Sequence, residues 1–83
     1  MANLEKLTIE TELQRQSDRW IAEVIELPGV LVYGSSETEA INKAKALALR
    51  VLAERLEHGE PTPGIGQIFR LKPTSSTSEA LVT

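Results

Sequence analysis

Apolar and polar positions alternate from near the start of the chain. Leu7, Ile9, Thr11 and Leu13 fall on one side of a period-two pattern; Lys6, Thr8, Glu10, Glu12 and Gln14 fall on the other. That alternation predicts a half-buried strand. The polar run RQSDR, residues 15–19, reads as a hairpin connection. Residues 20–26 predict a second strand, with Trp20, Ala22 and Val24 on one face and Ile21 and Ile25 opposite, flanking Glu23. Residues 30–33 predict a short third strand. Between the two lies Leu27-Pro28-Gly29-Val30, which fits a type II turn: Pro28 fixes φ at the first central position and Gly29 supplies a positive φ at the second. Two-residue hairpins prefer primed turns, so the connection is expected to be wider or bulged.

The period then changes. Ser36-Glu37-Thr38-Glu39 fits a capping box, in which the Ser36 hydroxyl accepts the Glu39 amide and the Glu39 carboxylate reaches back. Ala40, Ile41, Ala44, Leu47, Ala48, Val51, Leu52 and Leu56 follow at helical spacing and form one apolar stripe. Glu39 and Lys43 stand one turn apart. Gly59 offers a left-handed stop after His58. The helix is expected to run for about 22 residues, roughly 33 Å. After the connector EPTPG, residues 65–71 predict a fourth strand, with Ile65, Phe69 and Leu71 in phase and Ile68 opposed. Pro73 ends it.

The expected order is β-β-β-α-β over residues 1–72, an α+β domain with an antiparallel sheet and one long helix packed on one face. Residues 73–83, rich in Ser and Thr, are expected to form a disordered tail. One helix covers one face of the sheet. Ile21, Ile25 and Val30 or Val32 are expected to face away from the Trp20 set. Leu49, Ala46 and Ala53 lie off the main helix stripe. Apolar surface left over in this way marks an interface.

Size strengthens that expectation. At 83 residues without a cysteine and with a single histidine, neither disulfides nor a zinc site is available to support a small core, which leaves oligomerisation. The net charge of −3, from 12 acidic and 9 basic residues, argues against nucleic acid as a direct partner, because phosphate binding needs a basic stripe. No apolar run approaches the roughly 18 residues of a membrane helix, and MANLEKL lacks a signal-peptide core. A cytoplasmic location is expected.

Catalytic chemistry finds little to work with. His58 sits at a helix C-terminus, where a helix-end role accounts for it, and Ser35 and Ser36 are accounted for by capping. Glu10, Glu12 and Glu23 share a solvated strand face, but a two-metal site needs several converging carboxylates in a shaped cavity. Asp18 lies in a loop, as turn propensity explains. The expectation is a non-enzymatic protein with no cofactor, no metal and no small-molecule substrate. Trp20 and Tyr33 lack interleaved Lys or Arg, so they read as core or interface residues rather than a base-stacking platform.

The segment DRWIAEVIELPGVLVYGSSETEAINKAKALAL, residues 18–49, resembles the core of the HicB antitoxin family. The matching positions are Asp18, Trp20, Ala22, Leu27, Pro28, Gly29, Gly34, Ser36, Glu39, Ala40 and Ala44. The resemblance implies a degenerate ribonuclease-H-like fold without catalytic function, assembled as a dimer or tetramer. It also implies a partner, a small basic HicA-type toxin that cleaves mRNA and is masked by the antitoxin. The family's C-terminal DNA-binding module has no counterpart here: about ten mostly polar residues follow the fourth-strand segment, too few for a helix-turn-helix, and no DNA binding is expected. Glu10, Glu12, Glu23, Glu26 and Glu37 are candidate contacts to toxin Lys and Arg, and Trp20, Leu27 and Tyr33 are candidate apolar contacts. The alternative is a stand-alone homo-oligomeric relative without a toxin.

Overall fold

The computed structural model describes residues 6–73. Strands β1 (Ile9–Gln14), β2 (Arg19–Val24) and β3 (Leu31–Gly34) form an antiparallel sheet in the order β1-β2-β3, followed by one long helix, α1 (Glu37–Glu57). The architecture is α+β. The tail residues 74–83 lie outside the described part.

Register explains which side chains the sheet buries. Ile9 faces Val24, Thr11 faces Ala22 and Leu13 faces Trp20; on the other side of β2, Trp20 faces Gly34 and Ala22 faces Val32. Directly opposed residues share a face, so this set forms the helix side. The β1–β2 connection spans residues 15–18, with Asp18 in the left-handed region at φ 59° and its amide donating to Gln14 O. The β2–β3 connection is the wider one expected. Val30 N donates to Leu27 O at 3.0 Å with Gly29 at φ 98°, while Val24 N donates to Val30 O. The turn folds Leu27 back under the sheet, where it is fully buried.

The helix begins as its cap predicts. Ser36 Oγ accepts the Glu39 amide at 3.1 Å. The Glu39 carboxylate reaches one residue further back than in the usual box, to Ser35 N at 2.6 Å and Ser35 Oγ at 2.7 Å. Lys43 pairs with Glu39 at 3.6 Å. At the other end His58 caps the helix and Gly59 follows at φ 69°. Ala40, Ala44, Ala48 and Leu52 are buried against the sheet. This row of small side chains lets the helix axis come close to the strands. Gly34 is part of the same fit: a Cβ there would stand 2.6 Å from Ala40 N. The core is Ala22, Val24, Leu27, Val30 and the four helix residues, with Leu7, Ile9, Trp20, Val32, Leu47, Val51 and Ile65 packed around it.

Three expectations need correction. Val30 and Val32 lie on the helix side, and Leu31 and Tyr33 face the open side, because Ala22 opposes Val32. Leu56 is half-exposed rather than part of the buried stripe: a 21-residue helix extends about 31 Å, past strands of about 20 Å. Residues 65–71 form no strand. Ile65–Gln67 is a 3-10 turn entered through Gly64 at φ 84°, and the described residues beyond it, 68–73, pair with no strand of the sheet. A strand pattern needs an edge to pair with, and Gly64 and Gly66 give the chain no stiffness to hold it there.

Candidate functional site

With the helix covering one side of the sheet, the other side stands open. Its residues follow from the register: Glu10 opposes Glu23, Glu12 opposes Ile21 and Gln14 opposes Arg19 across β1–β2; Ile21 opposes Tyr33 and Glu23 opposes Leu31 across β2–β3. Ile21, Leu31 and Tyr33 form an apolar strip, extended by Ile25 past the end of β2. Ile25, Leu31 and Tyr33 are all exposed. Glu10 and Glu12 stand on the β1 side of that strip, while Glu23 sits within it on β2, opposite Leu31, and a small hollow of about 70 Å³ lies among Glu10, Glu12, Ile21 and Glu23. On the far side the Arg19 guanidinium stacks over the Tyr33 ring, 4.2 Å from its centroid, which holds that ring in place.

The charge arrangement is asymmetric. Glu10 and Glu23 sit directly opposite each other, and like charges in that position repel. A cation brought against this corner would relieve the repulsion. Among the described residues, no group of three or more His, Cys, Asp or Glu side chains is placed to hold a metal ion.

The expected contact residues divide into two groups. Glu10, Glu12, Glu23 and Tyr33 come together on this open face. The other four do not join them. Trp20 is on the helix side, packed against the core. Leu27 is 0% exposed and belongs to the core; as folded it has no surface to offer a partner. Glu26 acts as a staple between the β2–β3 turn and the start of β1, its two oxygens accepting Thr8 N and Thr8 Oγ1, each at 2.7 Å. Those bonds, the backbone one first, hold its carboxyl below the ordinary value of 4.5. Glu37 accepts Thr11 Oγ1 at 2.8 Å and ties the helix start to β1. Leu31 and Arg19 are the open-face residues that sequence reasoning missed. Leu31 is signalled only by its place between Val30 and Val32, once the phase of β3 is known.

A second feature is an apolar groove of about 250 Å³ between α1 and the edge strand β1, lined by Leu7, Ile9, Val24, Lys45, Ala48 and Leu49. No helix among the described residues is long and apolar enough to cross a membrane. Comparison with protein-family models, curated proteins and solved structures finds no match to the chain.

Proposed function

We propose that this chain is a non-enzymatic protein-binding module of the antitoxin type, whose open sheet face masks a small basic HicA-type ribonuclease. One observation carries the reading: Glu10, Glu12 and Glu23 share the open face with half-buried Ile21 and exposed Leu31 and Tyr33. The acids steer a basic partner into contact and fix its orientation. The apolar strip excludes water and supplies the anchor, with Tyr33 at its centre. The HicB-like positions between Asp18 and Ala44 add the toxin as the class of partner. They also imply a degenerate ribonuclease-H-like fold, whose fourth strand is not formed among the described residues.

The test is co-expression with a small basic HicA-type ribonuclease encoded beside this chain, read as co-purification and rescue of growth. Tyr33 and Glu23 are both exposed on the open face; Tyr33→Ala and Glu23→Arg should each weaken capture by roughly tenfold or more. Capture that tolerates both variants, or a neighbouring protein that neither binds nor harms cells, overturns the proposal. The stand-alone homo-oligomer is the second reading, and the unpaired segment after Ile65 is the observation that favours it.

A further inference from the structure

Residues 68–72, Ile-Phe-Arg-Leu-Lys, carry a strand pattern without a strand. Ile68, Phe69 and Leu71 are 58%, 67% and 93% exposed, three large apolar side chains within four residues. Scattered apolar surface is ordinary, but a concentration of this kind marks a contact. Extended, the segment has two unlike faces: Phe69 and Leu71 on one, Ile68, Arg70 and Lys72 on the other.

Strand β1 offers the complement. Ile25 N donates to Thr8 O, and Val24 N turns the other way, to Val30 O. In an antiparallel ladder the bonding direction alternates, so the backbone groups of Ile9, Thr11 and Leu13 point out from the sheet edge. On the helix side of that edge lies the apolar groove of Leu7, Ile9, Ala48 and Leu49; on the open side stand Glu10 and Glu12. A strand laid along β1 meets apolar surface on one face and negative charge on the other. The opposite edge fits poorly: β3 has four residues, and Lys43 Nζ already donates to Tyr33 O at 3.2 Å.

We infer that residues 68–72 of one copy pair with the β1 edge of a second copy, so that two chains exchange strands in a symmetric dimer. Phe69 and Leu71 enter the groove beside Leu49, and Arg70 and Lys72 lie over Glu10 and Glu12. The segment's own chain leaves it in water beyond the Ile65 anchor, and the charge pattern matches a β1 edge face for face. The exchange closes both β1 edges of the pair, which removes the liability of an open edge. It stands independently of any ribonuclease on the open face.

The full-length chain should sediment at twice the monomer mass at micromolar concentration. Leu71→Asp, at a residue 93% exposed, should yield a folded monomer. A charge exchange then tells trans from cis pairing. Glu10→Arg with Glu12→Arg in one chain, and Arg70→Glu with Lys72→Glu in another, should each weaken self-association by roughly tenfold or more. Mixing the two should restore a dimer containing one of each, because both interfaces then join opposite charges. A wild-type monomer, a dimer indifferent to Leu71→Asp, or a mixture that stays monomeric would overturn the inference. The last outcome would place the segment on its own chain's edge.

Discussion

Replacing Gly34 with alanine is the most searching test of the helix–sheet contact. The added methyl would stand 2.6 Å from Ala40 N, 2.9 Å from Ala40 Cα and 3.1 Å from Glu39 C. The first distance is about 0.8 Å inside the 3.4 Å at which ordinary contact begins. All three opposing atoms are backbone in the first turn of α1, so no side chain can rotate aside. Either the helix start backs away from β3, loosening the row Ala40, Ala44 and Ala48, or β3 shifts and strains its ladder with Trp20. Gly34 has no positive φ, so the penalty is steric and owes nothing to glycine's freedom. Overpacking of this kind costs about 1–3 kcal/mol, and rigid backbone on both sides puts Gly34→Ala in the upper half of that range. A chain of this length holds roughly 4–12 kcal/mol in all. Urea unfolding followed by the fluorescence of Trp20, which faces Gly34, measures the effect. With a slope near 1 kcal/mol/M, the midpoint should fall by roughly 2 M. Gly66→Ala, with nothing within 4 Å, is the control and should stay within about 0.5 kcal/mol of wild type. A Gly34→Ala loss below about 0.5 kcal/mol would refute the close-approach argument.

Two further predictions rest on the turn after β2. Leu27→Ala empties a fully buried site and should cost about 2–5 kcal/mol by the same urea assay, as for other buried leucines; a loss under 1 kcal/mol by that scale would show that the turn does not anchor the core. Glu26 makes stability depend on pH. Its folded pKa lies below the ordinary 4.5 because of its bonds to Thr8, so its contribution is complete above that value and fades as pH falls through the folded value. Glu26→Gln should therefore be less stable than wild type at neutral pH, with the gap narrowing below pH 4.5. A gap that is constant across the acid range would sink this account.

The sequence made the local elements readable wherever one period dominated. The alternation from Leu7 to Gln14, the Ser36 cap and the alanine row required no tertiary information, and α1 lies where its pattern puts it. What escaped depended on register or on a partner. Leu31 and Tyr33, rather than Val30 or Val32, face the open side because β3 meets β2 with Val32 opposite Ala22; three apolar residues in a row leave that phase undetermined. Leu27 read as a candidate apolar contact, and its full burial follows from the path of the turn rather than from its neighbours in sequence. The pattern at residues 65–71 was real, but a strand forms only against an edge, and the monomer does not bring it to one. Of the candidate contacts, the strand acids assembled because alternation fixes their face, while Glu26 and Glu37 were claimed by Thr8 and Thr11.

The row Ala40, Ala44, Ala48 has a consequence for how the fold is reached. Residues repeating every four positions look alike to the sheet after a slip of one helical turn, about 5.4 Å. The row therefore tells the helix which face to present and says little about where along the strands to stop. That longitudinal choice falls to the ends: Glu37 bonded to Thr11, Ala40 seated over Gly34, and Leu52, the large buried side chain of the helix. Weakening these pins, while leaving every alanine in place, should populate chains with intact secondary structure whose helix has docked one turn out of step.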